Sequence, residues 1–192
     1  YHGWKIWKAG MWTQGPTLLQ SLMTLSGTDL AEMDLVGADF VHTVTETLKL
    51  SFADREAYYG DPDHTDLPTD ILLSEAYAAT RRPLIGSKAS REQRPGHIDG
   101  FEAWAAAAVE RAGRDMAAGP GVGAGEPTMA HLTERRGDTV HIDVIDRWGN
   151  SVSATPSGGW LQSSPVVPGL GMPLNSRAQM FWLDEGLPTS LA

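Results

Sequence analysis

The chain has 192 residues, 41% of them hydrophobic, and a formal net charge of -9. That charge argues against nucleic acid as the main partner, because phosphate binding needs a basic patch, and no basic run is longer than a pair such as Arg81-Arg82 ahead of Pro83. The lack of cysteine excludes disulfides, thiolate metal sites and a cysteine nucleophile, and no run approaches the ~20 apolar residues of a membrane span.

In chain order, the aromatic-rich segment from Tyr1 to Trp12 predicts a short strand around Trp4 and Ile6. Met11 to Pro16 reads as a turn, with Pro16 suited to open a helix that runs through Leu18, Leu22 and Leu25 and stops near Gly27. From Ala38 to Tyr59, Val41, Val44, Leu48 and Phe52 follow helical spacing and predict one apolar stripe. Gly60-Asp61-Pro62-Asp63 ends that helix, since proline cannot continue the ladder. Thr69 or Asp70 is placed to cap a helix through Leu72, Leu73 and Tyr77, which Pro83 interrupts.

Residues 86–100 are polar and irregular, and 101–118 form an alanine-rich helix. The glycines between Gly119 and Gly125 lose much entropy on ordering, and about 119–137 reads as an exposed linker. The character changes at Thr139: a β-branched run to Asp146, a turn over Arg147-Trp148-Gly149-Asn150, and a second run from Ser151 to Thr155 predict a hairpin. The remainder is loop-rich, and there are no internal repeats.

Gly137-Asp138-Thr139 is therefore a junction between a linker and a strand. Cleavage before Thr139 would give it a free α-amine, which titrates near ~7.7–8 and can act as a base at neutral pH. One residue would then supply both nucleophile and base. The bland alternative is a threonine that merely favours a strand.

Several segments carry a resemblance. These are Phe52-Ala-Asp-Arg-Glu-Ala-Tyr-Tyr-Gly-Asp-Pro-Asp63, Leu72-Leu-Ser-Glu-Ala-Tyr77 with Arg81, Gly137-Asp-Thr-Val-His-Ile-Asp-Val-Ile-Asp146, Gly149-Asn-Ser-Val-Ser-Ala-Thr155, Ser157-Gly-Gly-Trp-Leu-Gln-Ser-Ser164 and Arg177-Ala-Gln-Met-Phe181. In this order they resemble gamma-glutamyltranspeptidases over most of the chain. The resemblance implies an α+β fold, the four-layer αββα sandwich of N-terminal-nucleophile hydrolases, here incomplete. It implies that residues 1–138 end a large subunit and 139–192 begin a small one, the two forming a heterodimer after autocleavage. It also implies a small-molecule γ-glutamyl donor such as glutathione, an amine or water acceptor, no cofactor, and a periplasmic or extracellular setting.

Carried over by position, Thr139 is the nucleophile and Ser157 is the second hydroxyl, normally threonine, that hydrogen-bonds it. Ser157 is equally suited to a turn before Gly158-Gly159. Gln179 matches a glutamine near the pocket for the glutamyl amino group. Gly159 stands at a substrate-binding position where the family has asparagine, and Trp182 stands where the pocket carboxylate is expected. An indole cannot form that ion pair, although cation–π contact is open to it. Asp184 is two residues out of register. The family's oxyanion glycines lie further along the small subunit, and its carboxylate-binding basic residue lies upstream of Tyr1.

His141 and Thr155 read as strand residues. Asp54-Arg55 reads as a structural link or cap at a helix end, and Asp61 and Asp63 suit the turn at Pro62. His42, Glu46, Asp63 and His64 have no recognisable metal spacing, so no metal is assigned. Three functions compete: a gamma-glutamyltransferase or hydrolase, a related acylase with altered acyl specificity, and a noncatalytic homologue or inactive fragment.

Overall fold

The computed structural model describes residues 1–118, 141–155, 166–173, 181–183 and 185–190. Helix and sheet are both present, in two compact units. One comprises residues 1–118 and 182–192, the other 119–181.

The first unit is helical. Helix α1 (Gly15–Leu25) opens with proline in its first turn, where a missing N–H costs nothing. Helix α2 (Ala38–Tyr58) is followed by α3 (Thr69–Leu72), α4 (Glu75–Arg81) and α5 (Glu102–Ala118). The single helix expected after Thr69 is instead two, and neither Thr69 nor Asp70 supplies the cap. Ser74 does, accepting a hydrogen bond from the Tyr77 N–H at 3.1 Å. Pro83 sits in a short 3-10 turn over Arg82–Leu84 that follows α4 directly.

The core joins Ala57, Tyr58 and Tyr59 at the end of α2 to Leu72, Tyr77, Ile98 and Ala108. Tyr58, Leu72 and Ala108 are at most 1% exposed. Arg82 fastens α4 to α1 by donating to the carbonyls of Met23 at 2.8 Å and Thr24 at 3.0 Å, the groups left without partners at a helix C-terminus. Gly60 admits the returning segment at 185–190, since a Cβ there would lie 2.6 Å from the Pro188 carbonyl oxygen.

Two further expectations fail here. No strand forms near the N-terminus: residues 4–10 have no regular structure, and Trp4 and Trp7 are 77% and 84% exposed. A strand needs a ladder partner for its backbone groups, and none of the described residues provides one. Helix α2 forms, but the apolar stripe is not its buried face. Val41, Leu48 and Phe52 are exposed, whereas Glu46, Thr47, Leu50, Ser51 and Asp54 are buried. The covered face is polar because its neighbours supply hydrogen-bonding partners.

The second unit contains the hairpin of β1 (Ile142–Ile145) and β2 (Ser151–Ala154), antiparallel with Ile142 opposite Ala154 and Ile145 opposite Ser151. A smaller ladder pairs β3 (Val166–Val167) with β4 (Met172–Pro173). The first turn is built on Asp146. Its carboxylate accepts from the Trp148 N–H at 2.9 Å, the Asn150 N–H at 3.0 Å and the Asn150 amide at 2.9 Å. Gly149 takes φ +87°, a region a side chain would resist.

Candidate active site

Among the described residues, a dense polar grouping lies inside the helical unit, where no apolar pattern announced it. Asp54, 1% exposed, accepts from the Gly96 N–H at 2.7 Å and the Gln20 amide at 3.1 Å, and pairs with Arg81 at 3.3 Å. Tyr59 donates its hydroxyl to Gln20, Tyr58 donates to the Gly96 carbonyl, and Arg81 also donates to the Arg94 carbonyl. The expected link at Asp54-Arg55 is thus corrected. Asp54 turns inward to Arg81, while Arg55 pairs with Glu56 at 3.1 Å.

Burial pushes the Asp54 carboxyl up to about 6, against the pull of Arg81 and the Gly96 N–H. Burial likewise pushes the Tyr58 phenol up to about 12. The space enclosed by Gln20, Ser51, Asp54, Tyr77 and Arg81 does not admit a water molecule. This cluster therefore acts as a polar keystone rather than a substrate pocket.

A second buried acid holds the irregular segment that precedes α5. Glu46 binds Lys49 at 2.5 Å and Arg94 at 2.9 Å, and accepts from the Ser90 N–H at 3.3 Å. The Lys49 hydrogen bond, more than any other contact, holds the Glu46 carboxyl below its ordinary range, while burial opposes it. His42 reaches the Gly86 carbonyl at 2.7 Å, so His42 and Glu46 have structural partners of their own. Asp61 accepts from the Asp63 N–H at 2.9 Å and shapes the turn at Pro62. Among the described residues, His97, Asp99 and Glu102 bring ligand atoms within 4.8 Å of one another. They are exposed, and His97 already engages Asp99 at 2.9 Å, so no metal is assigned to them.

Around the junction, the hairpin carries a side-chain chain that sequence reading did not foresee. His141 Nδ1 lies 2.8 Å from Thr155 Oγ1, and its Nε2 lies 2.9 Å from Asp143 Oδ2. A carboxylate only accepts, so in the neutral ring Nε2 carries the proton, and Nδ1 accepts from the Thr155 hydroxyl. The expected positions Thr139, Ser157, Gly158, Gly159, Gln179 and Asp184 lie outside the described residues.

Trp182 is described. Its backbone N–H donates to the Thr189 carbonyl at 3.0 Å, and its ring lies under the Arg111 guanidinium, with Cζ 3.7 Å from the centroid. Arg111 also pairs with Glu56 at 3.2 Å. A guanidinium of the protein itself thus already stacks on the indole that was considered as a partner for a substrate ammonium.

Comparison with known proteins agrees with the resemblance. The chain is 29% identical over 181 residues to the acylase ACY 1 proenzyme of Pseudomonas sp. strain SE83, covering 94% of this chain and 26% of that protein. It is 26% identical over 190 residues to the glutathione hydrolase proenzyme of Pseudomonas sp. strain A14, covering 98% and 28%. Two solved LmbA2991 structures share 44% and 42% identity, with TM-scores of 0.68 and 0.64. They cover 98% and 99% of this chain, and 30% and 32% of theirs. The cephalosporin acylase structure from Bacillus halodurans has a TM-score of 0.58 at 24% identity, covering 93% of this chain and 26% of that one, a likeness of fold. The chain thus spans about a quarter of the length of these curated relatives. The family model for gamma-glutamyltranspeptidase matches residues 1–190, and the chain belongs to that family.

Proposed function

We propose that Thr139 is the nucleophile of an amide-bond acyl-transfer enzyme and that cleavage before it creates its working form. The observation that carries this reading is the match of the gamma-glutamyltranspeptidase model to residues 1–190, which spans Gly137-Asp138-Thr139. Strand β1 begins three residues after Thr139. Ser157 is assigned as the second hydroxyl by resemblance.

In this reading the α-amine of Thr139 takes the proton from its own hydroxyl, directly or through a water, as the oxygen attacks the acyl carbonyl. The intermediate collapses and expels the amine, which leaves with the proton that the α-amine had taken. Water or a second amine then releases the acyl group. Residues 1–138 and 139–192 belong to the two subunits of a cleaved heterodimer with the four-layer αββα arrangement. Gln179 and Gly159 take part in binding the donor in this reading. The test is substitution: Thr139→Ala abolishes both cleavage and turnover, whereas Thr139→Ser keeps a hydroxyl and retains measurable cleavage. Full turnover by Thr139→Ala would sink the proposal.

A related acylase activity is favoured by the Arg111–Trp182 stack. Where the resemblance leads one to expect an acid for a substrate ammonium, there is an indole already bearing a cation. Such a surface suits an acyl group without an α-ammonium. Parallel assays with a chromogenic γ-glutamyl amide and a glutaryl amide separate the two readings. Preference for the glutaryl amide supports the acylase, and preference for the γ-glutamyl amide supports the transpeptidase.

A further inference from the structure

We propose that Trp182 and Leu187–Ser190 form a clamp that holds the polypeptide beginning at Thr139 to the helical unit once the chain is cut. The surface it grips lies at the end of α2 and on α5, and its anchor is the Arg111–Trp182 stack. The inference rests on the reading that cleavage occurs before Thr139, and it adds the contact that survives the cut.

Three observations point to the clamp. First, the helical unit is discontinuous in sequence: the chain leaves it after Ala118 and rejoins it at Trp182. A cut anywhere between those points puts the returning residues on a different polypeptide from the helices they belong with. Second, the returning segment turns inward at particular residues. Leu183, Glu185 and Gly186 are exposed, whereas Leu187 is 7% exposed and Trp182 is half-buried. Trp182 lies under Arg111, which is itself buried and paired with Glu56 of α2. A desolvated guanidinium on an indole face is held more strongly than an exposed one. Pro188 crosses the buried Gly60 so closely that a Cβ there would stand 2.6 Å from the Pro188 carbonyl oxygen. Third, the segment is braced internally. The Trp182 backbone N–H donates to the Thr189 carbonyl and the Ser190 N–H to the Leu187 carbonyl, both at 3.0 Å, and the Leu187 N–H donates to the Ser190 hydroxyl at 3.1 Å. Trp182 and Leu187 are therefore presented by a preformed turn, which lowers the entropy lost on docking.

The clamp takes no part in the chemistry. Its effect is on how tightly the two products of cleavage stay together.

The test places changes on one side of the cut and reads the other. Gly60→Ala drives a methyl group into the Pro188 carbonyl, and Arg111→Met removes the cation from the stack; both lie on the helical side. Trp182→Ala removes the ring, and Trp182→Phe keeps an aromatic face. The readouts, on the full protein after cleavage, are amide exchange at Trp182, Leu187 and Ser190, and the urea concentration at which the polypeptide beginning at Thr139 separates on gel filtration. The expected result is exchange at these amides faster by roughly five- to thirtyfold in Gly60→Ala, Arg111→Met and Trp182→Ala, with separation at lower urea. Trp182→Phe should recover most of both. If Gly60→Ala fails to fold, the two Trp182 variants carry the comparison. Exchange and separation at wild-type values in Trp182→Ala overturn the clamp while leaving Thr139 as the nucleophile. Equal losses in Trp182→Ala and Trp182→Phe also overturn it, because the aromatic face would not be the anchor. A wild-type protein that turns over substrate without cleavage before Thr139 removes the underlying reading, and this proposal with it.

Discussion

Asp54→Asn isolates the energetic effect of burying a carboxylate under α2. In the folded protein the Asp54 carboxyl titrates at about 6, against an ordinary value of 3.8, with burial the largest cause and Arg81 the main opposing one. A group whose folded pKa is raised contributes stability that is fully present below about 3.8 and is lost as pH rises through about 6. At about 1.4 kcal/mol per pH unit, the gap between those values corresponds to about 3 kcal/mol. For a domain of this size that is roughly 6–12 °C in Tm. The assay is thermal unfolding of the intact protein and of Asp54→Asn at intervals from pH 4 to pH 8. Asparagine cannot ionise, so the difference between the two proteins should tilt against the wild type by about 3 kcal/mol across that window. Parallel profiles would refute the reasoning. So would a wild type that gains stability relative to the variant between pH 4 and 6, because Arg81 and the Gly96 N–H would then outweigh desolvation.

Arg81→Met removes the cation beside Asp54 and leaves a buried acid without its ion pair. The expected loss is about 3–5 kcal/mol in urea unfolding. Glu46→Gln weakens the hold on Lys49, Arg94 and the Ser90 N–H, and faster amide exchange around Ser90 and Arg94 is the expected outcome. Because the Glu46 carboxyl is held low by Lys49, its contribution is present above the ordinary carboxylate range and lost as pH falls through the lowered value. The exchange difference between wild type and Glu46→Gln should therefore shrink in acid. Trp182→Asp restores a carboxylate at the position where the resemblance expects one. The ratio of γ-glutamyl to glutaryl turnover should rise by about tenfold or more, as for a site that gains a charged partner for its substrate.

The parts of the fold that could be read from sequence are those whose causes are local. The β1–β2 hairpin is specified within 14 residues by two β-branched runs and a turn organised by Asp146, Gly149 and Asn150. Helix α1 carries Pro16 in its first turn and α2 ends before Gly60-Asp61-Pro62, as the breakers require. The buried face of α2 was not legible, because its partners come from elsewhere in the chain. Gln20 comes from α1, Arg81 from α4, and Ser90, Arg94 and Gly96 from the segment before α5. Periodicity counts apolar residues and has no means of anticipating a face built from Glu46, Thr47, Ser51 and Asp54. The same holds for Trp182, whose partner Arg111 lies on α5.

At the site, the linker expected over about 119–137 and the junction before Thr139 lie outside the described residues, and the chemical meaning of that junction came from resemblance. The His141 tie was missed because a histidine two residues before an aspartate on a strand is an ordinary pattern. Only the fold of the hairpin brings His141 within 2.8 Å of Thr155.

Intact mass and N-terminal sequencing of the purified, active protein test the central claim most directly. The account predicts two polypeptides, the smaller beginning at Thr139, and a single uncut polypeptide in Thr139→Ala. An active protein that remains one chain through Gly137-Asp138-Thr139 would contradict it.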